Sequence, residues 1–504
     1  MGGHLNQTLT LAAPTIARLC EAGEGEPDAT VNSAGTLPRV SPYPTAAVIG
    51  AGSSGIAAAK ALRDRGIPFT VFEASDRVGG NWVFGNRNGM SAAYRGLHIN
   101  TSRDRMEFSD FPMPRSYPDY PHHTQIAAYF DAYVDHFGVR DAIRFETTVA
   151  HARRDADGVW ALELADGSVE RFDALVVANG HHWDPRWPEP MFPGHETFTG
   201  TQIHAHDYRD SDLFAGRRAL ILGMGNSAMD IAVESSHVAE RTFLAARRGA
   251  WILPKYLFGR PVDQLPNDPR LPVWLRMRVF ETMIRLFVGT PEKYGLPRPD
   301  HRFGSAHPTV SGRIIDRLQH GAITPKPNIA RLDGDEVEFA DGSRERVDVV
   351  VYCTGYRISF PFFDPGFISA PDNRIELFRR VMHPDIANVF FVALVQPLGA
   401  TMPIAERQGE WIGDLLRGEY LPPRRGDMLR AIRAEDAAMR RRYVASKRHT
   451  IQVDFDDYLR DLEAERAAGA GRARAAGYAL PVAPLAAGSG ADAAERPEDE
   501  DVAA

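Results

Sequence analysis

Two short apolar runs in the chain are each followed by a glycine-rich loop and an alanine-rich stretch. The first unit reads AAVIG, AGSSG, IAAAKALRDRG and PFTVFEA from Ala46, and the second reads RALILG, MGNSAMD, IAVESS and RTFLAARR from Arg218. A continuous apolar run before a glycine turn is typical of a buried parallel strand, and the helical stretch that follows completes a strand–helix–strand unit. The pattern predicts two doubly wound α/β domains.

Shorter alternating runs surround these two units. Residues 145–173 contain two such runs joined by Asp166-Gly167, and residues 329–355 contain another pair, which predicts a β-hairpin in each place. Residues 273–288 have the apolar spacing of an amphipathic helix. We expect this helix to face the core and to cover a substrate entrance or a domain junction, although its spacing also allows contact with a membrane. Further helices are expected from about residue 425 to 463.

The order of these elements predicts an α/β fold of two dinucleotide-binding domains, with the second inserted in a discontinuous first. Both ends of the chain are poor in apolar periodicity, and the last residues are rich in Ala, Gly and acidic side chains. The predicted boundaries are a flexible extension at 1–43, a first domain at 44–210 and 330–463, a second domain at 211–329, and a disordered tail at 464–504.

Composition narrows the classes of function. The 504 residues suffice for two or three domains, and the net charge of -8 disfavours a nucleic-acid partner. Cys20 and Cys353 are isolated in sequence, so neither a disulfide framework nor a redox or zinc pair is indicated. The longest nearly uncharged run, 386–405, contains Pro397 and Pro403 and does not predict a transmembrane helix. We therefore expect a cytoplasmic protein.

The first glycine loop has the spacing of a dinucleotide-binding site. A pyrophosphate needs a tight turn, a close approach of the backbone and exposed N–H groups at a helix start, which this loop offers at Gly50, Gly52, Ser53, Ser54 and Gly55. Glu73 follows Gly50 by 23 positions and ends the second strand, where a carboxylate can accept hydrogen bonds from ribose hydroxyls. The loop therefore predicts a site for the adenosine half of a dinucleotide.

The second glycine loop ends on a different charge. Its predicted contacts near a pyrophosphate are Gly223, Gly225, Asn226, Ser227 and Asp230, and Ala228 stands where the third glycine would be. After its second strand come Arg247 and Arg248 in place of an acidic residue. A guanidinium pairs with a 2′-phosphate that a carboxylate would repel, so this loop predicts NADPH in preference to NADH.

Between the two loops lies FTGTQIHAHDY, which reads F-x-G-x-x-x-H-x-x-x-Y from Phe198 through Gly200 and His204 to Tyr208. Together with the two loops, this stretch resembles the fingerprint of the flavin-containing monooxygenases, the class B flavoprotein monooxygenases. Several other segments are similar to the same family, and the resemblance covers about residues 46–463: FEASDRVGGNW, NTSRDRMEFSDFPMP, VVANGHHWDP, VYCTGY, QPLGATMPIAERQG and RYVASKRHTIQVDF.

The resemblance implies that FAD binds the first loop and NADPH the second. It places the segment Gly80, Asn81 and Trp82 along the flavin end of FAD, and Asn100 and Thr101 beneath the isoalloxazine. Trp82 could instead pack in the core, and Asn100 could merely stabilise a turn. Val149, at the entrance of the first hairpin, is a candidate for backbone pairing with the adenine. His204 could couple the two domains or serve only as a loop histidine.

The activity implied by the resemblance is that of an NADPH-dependent flavin monooxygenase, similar to N,N-dimethylaniline monooxygenase. Reduced flavin and O₂ would form a C4a-(hydro)peroxide that passes one oxygen to an amine nitrogen or a sulfide sulfur of a small molecule, with Asn100 as the catalytic polar contact. Tyr208 favours this branch, since the related Baeyer–Villiger enzymes carry Trp there. Two alternatives stay open, a Baeyer–Villiger oxidation of ketones and a flavoprotein that acts only as an NADPH oxidase, reductase or regulatory binding protein.

Three histidine pairs invite a metal hypothesis. They are His122-His123, His181-His182 and His204/His206, but neither carboxylates nor cysteines stand near them at ligand spacing. We therefore predict no metal site and expect these rings to hydrogen-bond across loops. The sequence leaves open the natural substrate and the oligomeric state, a homodimer included.

Overall fold

A computed structural model describes residues 41–265, 271–444 and 450–480. The predicted N-terminal extension, apart from residues 41–43, and the tail beyond residue 480 lie outside these ranges.

Most strands of the described chain are short. In chain order they are β1 Ala46–Ile49, β2 Phe69–Phe72, β3 Ile143–Arg144, β4 Val149–Arg154, β5 Trp160–Leu164, β6 Val169–Phe172, β7 Ala174–Val177, β8 Asp184–Pro185, β9 Thr201–His204, β10 Arg218–Leu222, β11 Arg241–Ala245, β12 Ile252–Leu253, β13 Tyr256–Leu257, β14 Arg260–Pro261, β15 Thr309–Val310, β16 Thr324–Lys326, β17 Ile329–Asp333, β18 Glu336–Phe339, β19 Arg344–Arg346, β20 Val349–Tyr352, β21 Tyr356–Arg357, β22 Val389–Phe391, β23 Gln396–Leu398 and β24 Gln452–Asp454.

The α-helices follow the same order. They are α1 Ser53–Asp64, α2 Arg103–Met106, α3 His123–His136, α4 Asn226–Val238, α5 Val273–Phe287, α6 Ile314–Gln319, α7 Met402–Leu416, α8 Arg425–Arg442 and α9 Phe455–Ala475.

The first sheet has the strand order β22-β7-β1-β2-β3, and every pairing in it is parallel. Its central strands β1 and β7 are buried along their whole length, as continuous apolar runs between two helical layers must be. α1 packs closely on α7 because both faces are small: a Cβ at Gly409 would lie 3.0 Å from Cα of Ala58. The predicted doubly wound sheet around the first loop is confirmed.

The second sheet has the order β16-β11-β10-β20-β9 and is also parallel. Its strands β9 and β20 lie inside the ranges that we predicted for the first domain, 44–210 and 330–463. The predicted boundaries at 210/211 and 329/330 therefore cut through this sheet. The reason is two long-range pairings: β20 pairs with β10, and β9 pairs with β20, Thr201 with Val349 through His204 with Tyr352.

Both predicted hairpins form, and each gains a third strand. β4, β5 and β6 make one antiparallel sheet, and β17, β18 and β19 make the other. Asp166 turns the first hairpin by accepting hydrogen bonds from the backbone N–H and hydroxyl of Ser168.

Two helices differ from expectation at their surfaces or ends. α9 continues to Ala475, so the tail predicted as disordered from residue 464 is helical over 464–475, where Gly469 packs closely against the ring of Tyr420. α5 buries Ile284 in an apolar cluster with Trp251 and Phe303, as a core-facing helix should, but leaves Trp274 68% exposed. None of the helices in the described ranges is both long and apolar enough to cross a membrane.

Candidate functional site

One cavity of about 1570 Å³ joins the carboxyl ends of the two sheets. That volume exceeds the roughly 300–1,000 Å³ of ordinary ligand pockets, which suits two dinucleotides and a substrate. Its walls contain nearly every residue predicted from the sequence: Gly50, Gly52, Ser53, Ser54, Glu73, Gly80, Asn81, Trp82, Asn100, Thr101, Val149, His204, Gly223, Gly225, Asn226, Ser227, Asp230, Arg247 and Arg248. The predicted residues behind the walls are Gly55, Phe198, Gly200 and Tyr208.

The first loop leaves the start of α1 open to this cavity. Gly50 has φ +101°, and a Cβ there would lie 2.7 Å from the carbonyl oxygen of Ala178, so only glycine fits. Gly52 is the N-cap of α1, and no side chain caps the helix. The N–H groups of the first turn are therefore free to bind an anion, and the positive end of the helix dipole favours a phosphate there.

Glu73 ends β2 at the rim of the cavity and is 5% exposed. Its Oε2 accepts the N–H of Ala51 at 2.7 Å, and its Oε1 accepts the N–H of Ser75 at 2.8 Å. Burial raises the pKa of this carboxyl, while the two backbone donors oppose the rise. Each carboxylate oxygen has a second lone pair, so the two N–H donors fix the side chain and still leave acceptors for a ribose.

The segment predicted for the flavin end forms a short 3₁₀ turn, Gly80–Trp82. Asn81 is held by its Oδ1, which accepts the N–H of Ala92 at 2.7 Å. Trp82 packs against the core of the first domain and also lines the cavity, so both interpretations of its role are compatible with its position. Val149 begins β4 beside a register shift, and it lines the cavity.

The second loop repeats the geometry of the first. Gly223 has φ +141°, and a Cβ there would lie 2.7 Å from the carbonyl oxygen of Cys353. Gly225 is the N-cap of α4, again without a side-chain cap. Asn226 is already engaged, because its Oδ1 accepts the N–H of Val310 at 2.9 Å.

Asp230 lies one turn into α4, and its Oδ2 accepts the hydroxyl of Tyr94 at 2.7 Å. Burial raises the pKa of Asp230, because desolvation disfavours its charged form. Such a carboxyl is a poor neighbour for a pyrophosphate while ionised. Its contact with Tyr94 indicates that it ties the residue 94 loop to α4, a role that the sequence did not suggest.

Arg247 and Arg248 follow β11 and are both exposed at the cavity wall. Arg248 pairs with Asp300 at 2.7 Å. Within the described ranges no ion pair occupies Arg247. The pKa of Arg186 is lowered mainly by burial, and the nearby positive charge of Arg247 lowers it further. The two arginines are therefore not equivalent, and Arg247 is the more available cation.

Most of the fingerprint stretch lies behind the cavity wall and packs against the second domain. A Cβ at Gly200 would lie 2.6 Å from the Phe198 ring and 2.7 Å from the carbonyl oxygen of Asp348, so close packing explains this glycine better than backbone freedom. Tyr208 is fully buried, and its hydroxyl donates to Glu234 on α4. Because Tyr208 does not line the cavity, it can affect the choice of oxygen acceptor only indirectly, through the residues that it packs against.

His204 is the fingerprint residue that reaches the cavity wall, and it is completely buried. Its Nδ1 accepts the N–H of His206 at 3.0 Å. Its Nε2 is buried and makes no hydrogen bond of normal length and angle with the residues that the structure describes, while the backbone of Gly355 opposes the effect of burial on the pKa of the ring. Burial lowers the pKa of His204 to about 4, and the ring is neutral near pH 7.

Asn100 and Thr101 lie between β2 and α2 in a loop that faces the cavity. The amide oxygen Oδ1 of Asn100 is buried, and no described residue donates a hydrogen bond to it. A buried amide oxygen without a donor costs about 1–3 kcal/mol. Its position in the cavity wall therefore points to a donor on a bound molecule.

Sequence reasoning missed two cavity residues, Arg186 and Tyr94, and gave His181 only a hydrogen bond across loops. Arg186 donates to the carbonyl oxygen of Thr354 at 2.8 Å, and burial lowers the pKa of its guanidinium. His181 is buried enough that its pKa falls well below the usual range. Tyr94 holds Asp230. Each lies in an irregular loop, where periodicity carries no signal. The described residues contain no cluster of three His, Cys, Asp or Glu side chains suited to a metal.

The two parallel sheets and their glycine loops define a protein with two dinucleotide-binding folds around one cavity. The chain matches the model of the flavin-binding monooxygenase-like family over residues 44–470 and belongs to this family. It is therefore an NADPH-dependent flavin monooxygenase, and FAD and NADPH are its cofactors. The two uncapped helix starts and the glycine cradles fit both groups.

Relatives of established name agree. The chain is 36% identical to flavin-containing monooxygenase 5 of Oryctolagus cuniculus, across 82% of this chain and 81% of the relative. It is 32% identical to dimethylaniline monooxygenase [N-oxide-forming] 2 of Macaca mulatta, across 83% and 82%. The solved structure of S-allyl-L-cysteine S-oxygenase from Allium sativum is similar with a TM-score of 0.64, at 25% identity, across 84% of this chain and 88% of that one.

Proposed function

We propose that the enzyme transfers one atom of O₂ to a soft nucleophile, an amine nitrogen or a sulfide sulfur, of a small molecule. NADPH supplies two electrons, one oxygen atom forms the new N–O or S–O bond, and the other leaves as water, with NADP⁺ as the oxidised product. FAD, when bound, accepts the hydride and activates O₂. The protein binds and orients these partners and excludes water.

The observation that carries this proposal is the buried Oδ1 of Asn100 in the cavity wall, which has no hydrogen-bond partner among the described residues. An amide oxygen accepts a hydrogen bond only from a group that keeps its proton. A reactive oxygen that keeps its proton is electrophilic, which an amine or a sulfide needs, whereas a ketone needs a deprotonated, nucleophilic oxygen. Asn100 therefore favours the soft nucleophile. The N-oxide-forming and S-oxygenating activities in the names of two relatives support the same choice.

The residue roles belong to the proposal. FAD would lie along Gly50, Gly52, Ser53, Ser54 and Gly55 with its ribose at Glu73 and its adenine near Val149, and would continue past Gly80, Asn81 and Trp82 to Asn100 and Thr101. NADPH would lie on Gly223, Gly225, Asn226 and Ser227, with Arg247 at its 2′-phosphate. These assignments are supported by the open helix starts and by the guanidinium of Arg247, which no ion pair occupies in the part of the chain that the structure describes.

The proposal is tested by turnover with NADPH and O₂ against a panel of one tertiary amine, one sulfide, one cyclic ketone and one linear ketone. We expect an N-oxide and a sulfoxide, with ketones converted slowly. Lactone or ester formation with the amine and sulfide untouched would replace the proposal by Baeyer–Villiger oxidation. Recovery of all consumed O₂ as H₂O₂ with every compound would replace it by an NADPH oxidase.

Replacing Asn100 tests the carrying residue. Asn100→Ala should retain full FAD, since no predicted pyrophosphate or ribose contact is removed, but should divert most NADPH electrons to H₂O₂. The ratio of product to NADPH consumed measures this, and FAD absorbance serves as the control. A variant that forms product with unchanged coupling would remove Asn100 from the proposed function.

A further inference from the structure

A short hairpin that follows the second glycine loop reaches the loop that carries Asn100. The hairpin segment is Lys255–Gln264, in which β13 and β14 pair around the turn Phe258-Gly259. Phe258 and Gly259 both have positive φ, 54° and 73°, as a two-residue hairpin turn requires. The N–H of Val262 donates to the carbonyl oxygen of Lys255 at 3.0 Å and closes the base of the hairpin.

Three hydrogen bonds join this hairpin segment to the two ends of the asparagine loop, Ile99–Ser102. The N–H of Ser102 donates to Oδ2 of Asp263 at 2.6 Å, and Nε2 of Gln264 donates to Oγ of Ser102 at 3.0 Å. On the other side, Nζ of Lys255 donates to the carbonyl oxygen of Ile99 at 3.2 Å. Ile99 and Ser102 are completely buried, so these bonds are shielded from water.

Asn100 and Thr101 are therefore held from both flanks while their own side chains stay in the cavity wall. No described residue donates to Oδ1 of Asn100, so the position of that oxygen depends on the backbone around it. Two of the three bonds are charge-assisted, the one from the Ser102 N–H to the Asp263 carboxylate and the one from the Lys255 ammonium to the Ile99 carbonyl. The first is the shorter, at 2.6 Å against 3.2 Å.

We propose that Asp263 is a positioning residue, which holds the asparagine loop from the hairpin segment so that the Asn100 amide points at the reacting oxygen. The consequence for the reaction rests on the proposed function, but the mechanical link does not. Lys255 stands only seven positions after Arg248 in the chain. NADP⁺ on the second loop should therefore steady the asparagine loop through this hairpin.

The mechanical link is tested by hydrogen–deuterium exchange of the peptide that covers residues 99–106, in the full-length FAD-loaded protein with and without NADP⁺. Asp263→Ala should speed exchange at the Ser102 amide by roughly ten-fold and abolish the slowing by NADP⁺. Asp263→Asn keeps an acceptor oxygen and should restore most protection. Unchanged exchange in Asp263→Ala, or an Asn variant as unprotected as the Ala variant, would overturn the proposal.

Two further variants make the result independent of how well Asp263→Ala folds. Gln264→Leu removes only the bond to Oγ of Ser102 and should speed exchange in the same peptide by roughly three-fold. Unchanged exchange in this variant would contradict the proposal that the hairpin segment holds the asparagine loop. Asp341 is the matched control, because its Oδ1 also accepts a backbone N–H, that of Ser343 at 3.0 Å, in the turn between β18 and β19. Asp341→Ala should leave exchange of the 99–106 peptide unchanged, and an equal acceleration there would make the Asp263 effect nonspecific.

The link to the reaction is tested by kinetics. Asp263→Ala should lower kcat for oxygenated product by roughly ten-fold, raise H₂O₂ formation and leave the KM for NADPH within roughly two-fold. A loss confined to KM would refute positioning of the asparagine loop. If the wild-type enzyme oxygenates neither amine nor sulfide, the proposed function fails, whereas the exchange experiment still decides the role of Asp263.

Discussion

The two glycine loops are close copies of each other that differ at one backbone position. In each loop the first glycine has a positive φ. A Cβ at Gly50 would lie 2.7 Å from the carbonyl oxygen of Ala178, directly after β7, and a Cβ at Gly223 would lie 2.7 Å from that of Cys353, directly after β20. The third position is Gly55 in the first loop and Ala228 in the second. The first glycine is therefore required because a neighbouring strand of the sheet leaves no room for a Cβ, whereas the third position depends on packing within the loop.

The packing at the third position explains the difference. A Cβ at Gly55 would overlap the carbonyl oxygen of Gly50, whereas the methyl of Ala228 is fully buried without such a conflict. The first loop turns more tightly onto its helix than the second. Its helix α1 is also the one pressed against α7 through small residues.

Gly55→Ala should have the largest effect that this comparison predicts. Because the overlap is with backbone, the turn must open, and we expect protein without FAD, with loss of the yellow flavin absorbance. Ala228→Gly is the matched change in the second loop and should keep both cofactors at a stability cost of about 0.5–1 kcal/mol. A Gly55→Ala protein with full flavin content would show that the tight turn is not required.

The loops also differ in the charge that ends each unit, a buried Glu73 in the first and the exposed Arg247 and Arg248 in the second. A charge-assisted phosphate contact is worth about 1.5–3 kcal/mol, so Arg247→Ala should raise the KM for NADPH roughly ten-fold or more and leave that for NADH unchanged. Arg248 is shared with Asp300. Steady-state kinetics with both nucleotides measure the difference.

Arg248→Ala is the control for that experiment. Since its exposed ion pair already competes for the guanidinium, we expect a rise in the NADPH KM of less than roughly three-fold. Equal effects of the two substitutions would show that Arg248 leaves Asp300 to reach the phosphate. An unchanged NADPH preference in Arg247→Ala would contradict the assignment of the 2′-phosphate.

The elements that could be predicted from the sequence are those formed by residues close together in the chain. Both glycine loops, the strand–helix–strand unit in each sheet and both hairpins were predicted, because each of them rests on residues within about thirty positions of one another. The placement of β9 beside β20 was not predicted, since a strand of four residues has the same local pattern whichever sheet it joins. The hydrogen bond between Ser102 and Asp263 was equally out of reach, because it joins irregular segments far apart in the chain.

The candidate site divides in the same way. Positions set by backbone geometry, such as Gly50 and Gly223, could be predicted because the spacing of the glycines in the motif indicates where the backbone turns tightly. Roles set by side-chain partners could not, because partners come from elsewhere in the chain: Asp230 is held by Tyr94, and the hydroxyl of Tyr208 is taken by Glu234. The fingerprint tyrosine therefore carried a family signal without a contact in the cavity.

The smallest predicted effect concerns the aspartates that anchor the two sheets at equivalent places. Asp173 precedes β7, and its Oδ2 accepts the N–H and hydroxyl of Thr45 at 2.7 and 2.9 Å. Asp348 precedes β20 and accepts the N–H of Arg218 at 2.8 Å and its guanidinium at 2.6 Å. The side-chain hydrogen bond with Arg218 lowers the pKa of Asp348 from 3.8 to about 2.

A carboxyl whose pKa is lower in the folded state stabilises the fold above its unfolded pKa and loses that contribution as the pH falls toward the folded value. Asp348→Asn should therefore cost about 1 kcal/mol near pH 7, a figure reduced for solvent screening because the Asp348 side chain is 35% exposed. The cost should shrink between pH 4 and pH 2, as measured by urea unfolding at several pH values. Asp173→Asn serves as the comparison, since the N–H and hydroxyl of Thr45 that its Oδ2 accepts carry no charge. A stability difference for Asp348→Asn that stays constant from pH 7 to pH 3 and on toward pH 2 would mean that the ion pair with Arg218 adds nothing beyond hydrogen bonds from uncharged donors, such as those from Thr45 to Asp173.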